Sequence, residues 1–312
     1  MRFTLRKKNV VALGGGHGLS STLRALTQVN CNITAVVGVS DDGGSSGRLR
    51  KEFGIVPPGD LRMALAALCE DEKWGSTWAK VMQHRFSSNG ELDGHALGNL
   101  LITALWEETG DIVEGLDWVA KLLGAKGRVL PLCLEPLKIE ATVKTKTGLK
   151  RKVSGQVKVA TTKDKIVSIA VNPPNPKVCQ EAISAVLNAD AVILGPGSWF
   201  TSVLNHFEVP EMKQALCATK AKRVLVLNLQ PQNGETSNFA PESYLESLAK
   251  ANPALTLNTV IADPRHVQNE KKLMTVAAKL GAQVEMAEVG NTQAPMEQHN
   301  PDRLAYTFEH VI

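Results

Sequence analysis

Short apolar runs, most of them followed by amphipathic stretches, form the dominant pattern along this chain. Residues 10–13 and 33–39 are almost continuously apolar, as in strands buried on both faces of a sheet. Leu19, Leu23 and Leu26 then recur at helical spacing. The strands predicted from such runs are 10–13, 33–39, 191–194, 224–229, 257–262 and 284–289. Strands that alternate with helices predict an α/β fold, with a mostly parallel sheet in a Rossmann-like three-layer arrangement and residues 1–312 as one domain.

Residues 128–171 show a different pattern, because β-type runs replace the helices. The strands predicted there are 129–130, 139–143, 153–160 and 166–171, with a hairpin turn at 147–149. Between Lys144 and Lys165 there are eight lysines and arginines and one acid, Asp164. We predict a β-rich insertion at 128–171 that carries a basic hairpin. A solvated surface explains these charges most simply, and a protein-binding surface or a lid remain alternatives.

The first predicted strand leads into a glycine-rich turn and the start of a helix. The turn consists of Gly14, Gly15, Gly16, His17 and Gly18. Glycine permits positive φ and close approach of a ligand, and the free N–H groups at a helix start favour an anion. The G-x-G-x-G spacing is neither the full dinucleotide fingerprint nor a Walker loop. The turn therefore predicts a phosphate-bearing ligand, with a tight turn needed only for packing as the alternative.

The second predicted strand ends in a loop of two acids, two glycines and two serines. These residues are Asp41, Asp42, Gly43, Gly44, Ser45 and Ser46. An acid at this position can accept hydrogen bonds from ribose hydroxyls, and the following N–H and hydroxyl groups suit an anion. Asp41 and Asp42 are adjacent and point to opposite faces of an extended strand end, so we predict no shared-proton pair. One of them could hold Mg²⁺ against substrate phosphates. Helix capping is the alternative.

Two further segments carry candidate binding residues. Gly59 and Asp60 open a predicted helix, where Asp60 is a natural N-cap as well as a candidate ligand contact. His95 and Asn99 are four residues apart, which places them on one face at a helix start. Gly98 would cost about 1 kcal/mol relative to Ala in a helix interior, so we expect close backbone packing or a ligand wall there.

Two later strands end in comparable polar loops. Their candidate residues are Gly195, Gly197, Ser198, Thr201, Ser202 and, in the second loop, Asn233. Helix capping by Ser198 or Thr201 is the alternative. Because ligands of parallel sheets bind outside the carboxyl ends of the strands, we expect all these loops to form one site. Several anion-friendly loops on one edge predict a nucleotide or a nucleotide sugar.

Composition narrows the classes of function. The net charge of +4 does not force binding to DNA or to anionic membranes, and 4% aromatic residues argue against a stacking surface for nucleic acid. The five scattered cysteines fit reduced thiols, and no His or Cys spacing suits a metal site. The start of the chain lacks the apolar segment of a signal peptide, and no run approaches the roughly 20 residues of a membrane span. We predict a cytoplasmic homodimer with no nucleic acid, no membrane insertion and no required cofactor, and with unidentified protein partners.

Six motifs carry a resemblance to a known family. They are GGGHGL at 14–19, VSDDGGSSGRLR at 39–50, PPGDLR at 57–62, GHALGNLL at 94–101, GPGSWFTS at 195–202 and QNGET at 232–236. On these motifs the chain resembles the bacterial YvcK-type gluconeogenesis factors, within the wider group that contains 2-phospho-L-lactate transferase (CofD-like proteins). The resemblance implies a Rossmann-like fold and a UDP-sugar ligand, UDP-N-acetylglucosamine in particular. It also implies a regulator of cell shape and of cell-wall precursor supply during gluconeogenic growth, without an established reaction.

The transferase relatives supply the alternative function. They carry a phospholactyl group from a guanosine diphosphate conjugate to a deazaflavin, so the resemblance also admits a Mg²⁺-dependent transferase. Two positions depart from the family pattern: His17 stands where Thr is usual, and Gln298 stands where Arg is common. A nicotinamide-dependent dehydrogenase rests only on the strand–glycine–helix unit, and the missing third glycine of the fingerprint weighs against it.

Overall fold

The computed structural model describes residues 6–70, 72–293 and 298–312. Within these ranges the strands are β1 (Lys8–Gly14), β2 (Cys31–Val37), β3 (Gly127–Pro131), β4 (Lys138–Lys144), β5 (Lys150–Ser154), β6 (Lys165–Asn172), β7 (Ala191–Leu194), β8 (Lys222–Val226), β9 (Thr259–Ala262) and β10 (Gln283–Met286). The α-helices are α1 (Gly16–Leu26), α2 (Gly44–Phe53), α3 (Gly59–Ala67), α4 (Lys73–Gln83), α5 (Leu97–Thr109), α6 (Ile112–Leu123), α7 (Gln156–Ala160), α8 (Gln180–Leu187), α9 (Pro210–Ala218), α10 (Pro241–Ala251), α11 (Glu270–Lys279) and α12 (Pro301–Val311). A π-helical turn (Trp199–Val203) and 3₁₀ turns (Leu204–Glu208 and Pro264–His266) complete the helical segments.

Seven parallel strands form the main sheet, in the order β10-β9-β8-β7-β1-β2-β3. The chain builds one half of the sheet from β1 to β3 and then returns to the middle to build the other half from β7. The neighbours β1 and β7 pair directly, with Val10 opposite Ala191 and Leu13 opposite Leu194. The strand order therefore reverses between β1 and β7, and open α/β sheets bind ligands in the crevice at such a switch point.

The core forms between this sheet and its flanking helices. β7 and β9 are buried along their whole length, as the continuous apolar runs predict. Leu19, Leu23 and Leu26 of α1 face the same core and are at most 1% exposed. The predicted Rossmann-like α/β architecture with a mostly parallel sheet is confirmed. No helix in the described ranges is both long and apolar enough to cross a membrane.

Strands β5, β4 and β6 form a separate antiparallel sheet, which confirms the predicted small hairpin sheet. Two details of the prediction for 128–171 are wrong. Residues 128–131 belong to the main sheet, where Val129 lies opposite Ala35 of β2 in a parallel pair, so the antiparallel unit begins at Lys138. Residues 156–160 form α7 instead of extending a strand. The helix is stabilised because the Asp42 carboxylate accepts hydrogen bonds from the N–H groups in the first turn of α7.

Candidate functional site

Three segments meet at the switch point, and glycines permit their close contact. A Cβ atom at Gly18 would overlap the carbonyl oxygen of Pro196, so the first turn of α1 lies directly on the loop after β7. A Cβ atom at Gly15 would lie 2.5 Å from a carboxylate oxygen of Asp60 and 3.4 Å from the hydroxyl of Ser202. These positions require glycine for packing between segments, as the packing interpretation of the turn predicts.

Asn228 fixes the glycine loop that follows β7. Its amide oxygen accepts a hydrogen bond from the Gly197 N–H at 2.9 Å, and its amide nitrogen donates to the Gly197 carbonyl at 2.8 Å. This pairing holds the loop backbone at the edge of the crevice. Asn228 is not among the residues predicted from the sequence, although a polar residue just after a buried strand was an available signal.

A pocket of about 370 Å³ opens between these loops. It is lined by His17, Gly18, Ser21, Pro196 and Gly197, together with residues 228–233 and 298–299. We call it the switch-point pocket. Four residues predicted from the sequence line it, namely His17, Gly18, Gly197 and Asn233.

The chemistry of the switch-point pocket suits binding of a polar or anionic group. Helix α1 starts at the pocket, its N-cap residue Gly15 makes no side-chain capping bond, and its first turn contains no acid. The Gly16 N–H interacts with the Asp60 carboxylate, so the N–H groups of His17 and Gly18, which line the pocket, are the ones available to an anion. Burial lowers the pKa of His299 to about 4, so the ring is neutral at pH 7, and its Nε2 donates to the Leu227 carbonyl at 3.1 Å. Among the described lining residues there is no Asp, Glu, Lys, Arg or Cys.

On the other side of the glycine turn, the structure brings together Asp41 and Asp60. Asp60 does not cap its own helix, because α3 begins at Gly59 with Pro58 at the N-cap position. Its carboxylate instead lies at the start of α1, where the Gly16 N–H favours the charged form. Burial, with the neighbouring charge of Asp41, nevertheless raises the pKa of Asp60 to about 7. Burial also raises the pKa of Asp41, although the Gly43 N–H donates to its Oδ1 at 2.9 Å.

The adjacent acid Asp42 makes a different set of contacts. Its two carboxylate oxygens accept hydrogen bonds from the N–H groups of Gln156 and Val157, each at 3.0 Å. A Cβ atom at Gly155 would lie 2.5 Å from the same carboxylate. Asp42 therefore connects the loop after β2 to the start of α7, and both of its oxygens are engaged by the chain itself.

Ser45, His95 and Asn99 lie together in a buried network and do not line the switch-point pocket. The Ser45 hydroxyl lies 3.1 Å from His95 Nδ1 and accepts hydrogen bonds from the Ala96 N–H and from the Asn99 amide at 3.0 Å. The Asn99 amide oxygen in turn accepts from Arg62 Nε at 2.9 Å. Burial lowers the pKa of His95, which favours the neutral ring. His95 lies two residues before α5 rather than within it.

Close packing also accounts for two small residues beside this network. A Cβ atom at Gly98 would lie 2.7 Å from the Met82 carbonyl oxygen and 2.9 Å from the side-chain carbons of Arg62. The Ser46 hydroxyl accepts the Gly59 N–H at 2.9 Å and so joins the starts of α2 and α3. Gly98 is therefore a packing residue, and Ser46 positions the segment that carries Asp60.

The remaining predicted residues lie around these features. Gly14 ends β1, Gly44 starts α2 with φ of 48°, and Gly195 has φ of 69° directly after β7. Thr201 and Ser202 are buried in the π-helical turn, and Ser198 at its N-cap makes no side-chain capping bond. Ser198 instead lies beside Glu235, which belongs to the QNGET motif but was not among the predicted binding residues, and burial raises the pKa of that carboxyl to about 7.

The carboxylates near the glycine turn fit a Mg²⁺ ion that is bound together with a phosphate ligand. The described residues contain no group of three or more His, Cys, Asp or Glu side chains that could hold a metal ion. Two carboxylates, Asp41 and Asp60, nevertheless offer hard oxygen ligands. Mg²⁺ is commonly bound by one or two carboxylates with substrate phosphates and water completing the shell, so these residues fit Mg²⁺ that arrives with a phosphate ligand.

Comparison with known proteins places the chain in a family. The family model described as 2-phospho-L-lactate transferase CofD matches residues 10–298. A Mycobacterium tuberculosis protein named "Putative gluconeogenesis factor" is 46% identical over 311 residues, which cover 97% of this chain and 90% of that protein. The "Gluconeogenesis factor" of Bacillus subtilis is 34% identical over 267 residues, which cover 86% and 82% of the two chains.

A solved structure is similar over nearly the whole chain. The crystal structure of a member of the UPF0052 family from Bacillus halodurans superposes with a TM-score of 0.86 at 32% identity, and the match covers 97% of this chain and 99% of that one. The similarity in fold and the sequence identity agree with one another. The chain therefore belongs to the CofD family, on the branch of the bacterial gluconeogenesis factors.

Proposed function

We propose that the switch-point pocket binds a nucleotide sugar of the UDP-N-acetylglucosamine type, and that its occupancy regulates cell shape and cell-wall precursor supply during gluconeogenic growth. The observation that carries this proposal is the convergence of four segments, 17–21, 196–197, 228–233 and 298–299, on one pocket at the start of α1. Backbone N–H groups there suit a diphosphate, and the amide and hydroxyl side chains suit a sugar. The absence of charged side chains among the described lining residues favours binding over catalysis. The naming of relatives as gluconeogenesis factors supports the physiological role.

Isothermal titration calorimetry with UDP-N-acetylglucosamine tests the proposal. We expect Asn233→Ala and Ser21→Ala each to weaken binding about tenfold, since one lost hydrogen bond to a charged ligand is worth roughly 1.5 kcal/mol. Ser20→Ala is the matched control, because Ser20 neighbours Ser21 on α1 but does not line the pocket. Binding by that variant should stay within twofold of the wild type. A folded wild-type protein that gives no heat at millimolar ligand would refute the proposal.

The second candidate function is a Mg²⁺-dependent transfer of a phospholactyl group. The pairing of Asp41 with Asp60 favours it, because two carboxylates beside an anion-binding helix start fit a metal-bound diphosphate substrate. The match to the transferase family supports it as well.

A direct assay separates this candidate from the first. The full chain is incubated with Mg²⁺, a guanosine diphosphate phospholactyl donor and a deazaflavin acceptor, and product formation is followed. On this hypothesis Asp41→Asn and Asp60→Asn should each lower the rate at least a hundredfold. Asp42→Asn should retain most of it, because Asp42 contacts α7. Absence of product with the wild-type chain counts against a transferase.

A further inference from the structure

A second cavity, of about 980 Å³, lies between the antiparallel sheet and the segment that leads into α10. Six lysines line it: Lys144, Lys146, Lys163, Lys165, Lys213 and Lys250. We call it the lysine cavity. It shares no lining residue with the switch-point pocket, and its volume falls in the range of small-molecule sites.

The lining of this cavity carries an excess of positive charge. Its acids are Asp164, Glu208, Glu235 and Glu246, and the Asp164 carboxylate is already paired with Arg151 at 2.7 Å. Burial raises the pKa of Glu235 to about 7, so this group is only partly ionised at neutral pH. Within the described ranges, none of the six lysines makes an ion pair within 4 Å. Lys213 donates a hydrogen bond to the Ala251 carbonyl at 3.2 Å and lies near Glu208, so the ammonium groups of the other five lysines are the ones left for water or for a ligand.

Two of the lysines lie in an arrangement that costs stability. Lys144 of β4 lies directly opposite Lys165 of β6 and also directly opposite Lys150 of β5. Like charges at directly opposed positions of an antiparallel pair destabilise a sheet. An anion bound between Lys144 and Lys165 would relieve this repulsion. Solubility alone does not require lysines at directly opposed positions on neighbouring strands.

Apolar side chains form the opposite wall of the cavity. Phe200, Leu204 and Phe239 line it, and the two phenylalanine rings pack edge to face with centroids 5.9 Å apart. Phe200 and Leu204 are already buried in the fold, whereas Phe239 is partly exposed, so the cavity favours a ligand that has an apolar part for Phe239 as well as a negative charge.

We propose that the lysine cavity is a binding site for a small organic anion, whose charged group lies between Lys144 and Lys165 and whose apolar part packs on Phe239. This site is separate from the switch-point pocket and does not depend on the function proposed for it. On this proposal, the lysines of the basic insertion bind a ligand, whereas the simplest explanation from the sequence is a solvated surface.

Fluorescence titration of the full chain with 8-anilinonaphthalene-1-sulfonate tests the proposal. The double variant Lys144→Gln with Lys165→Gln should weaken binding of the probe at least fivefold. The matched control is Lys150→Gln with Lys152→Gln, which removes two lysines from the same sheet, neither of which lines the cavity. The control should bind within twofold of the wild type. Circular dichroism verifies that both variants are folded.

Three results would overturn the proposal. Equal weakening by both double variants would show that only the overall charge of the sheet matters. Equally tight binding of the neutral compound N-phenyl-1-naphthylamine would show that the lysines do not select a charge. Displacement of the probe by polyglutamate, but not by naphthalene sulfonate, would indicate an acidic peptide instead of a small anion.

Discussion

Asp41 and Asp60 belong to different sequence motifs, yet the charge of Asp41 acts on Asp60, whose carboxylate lies at the start of α1. Each carboxylate is within the influence of a backbone N–H group, which favours its charged form. Burial acts in the opposite direction and is the larger effect at both residues. A cation or a phosphate-bound metal would therefore stabilise the charged form of both carboxylates. Groups with such raised pKa values are common at functional sites.

The raised pKa of Asp60 gives the stability of the protein a defined dependence on pH. An ordinary Asp has a pKa of 3.8, and in the folded chain the value is about 7. Between these values the folded state binds a proton more tightly than the unfolded state does. The resulting stabilisation is fully present below about pH 4 and is lost as the pH rises through 7.

We therefore expect Asp60→Asn to flatten the fall in Tm between pH 5 and pH 8, as measured by circular dichroism at four pH values. Some slope should remain, because the pKa of Glu235 is also raised to about 7 by burial. Asp302→Asn, at an exposed position in the first turn of α12, serves as the control and should keep the wild-type slope. An Asp60→Asn variant with an unchanged slope would contradict the assignment.

At the level of elements, the segment 150–160 shows that sequence periodicity alone does not predict the secondary structure correctly. Residues 153–160 contain several valines and predict one long strand, but the chain forms β5, a turn at Gly155 and then α7. The helix is stabilised at its N-terminus by Asp42, which is 114 residues away from Gln156 in sequence. A capping residue that lies so far along the chain leaves no local signal.

Removal of this cap should loosen the antiparallel unit. We expect Asp42→Ala to lower the free energy of unfolding by about 1 kcal/mol, as for other lost N-caps. Amide hydrogen exchange should become faster in α7 and in the adjoining strand β5, while β1 and β7 keep their protection. Asp42→Asn keeps one of the two acceptor oxygens and should show an intermediate effect. Unchanged exchange in α7 of the alanine variant would argue against this role.

At the scale of the whole molecule, the strand order decides which predicted residues form a site. The reversal between β1 and β7 brings the glycine turn beside the loop after β7, and the switch-point pocket lies between them. The antiparallel unit packs over the loop after β2 through Asp42 and creates the lysine cavity on its other side. A cytoplasmic homodimer stays a prediction from the sequence.

The sequence by itself determined the α/β fold and most of the individual elements, because the period of apolar positions reports which face of each strand or helix is buried. It also placed the polar loops at one edge of the sheet, and it predicted four residues of the switch-point pocket. Only the tertiary structure separated these candidates into a pocket, a carboxylate pair and a buried network. Only the tertiary structure also shows the hydrogen bonds between Asn228 and Gly197, the proximity of Asp41 to Asp60 and the hydrogen bonds from α7 to Asp42. These contacts join segments that are distant in the chain, and they depend on strand order and side-chain direction, which no local pattern encodes.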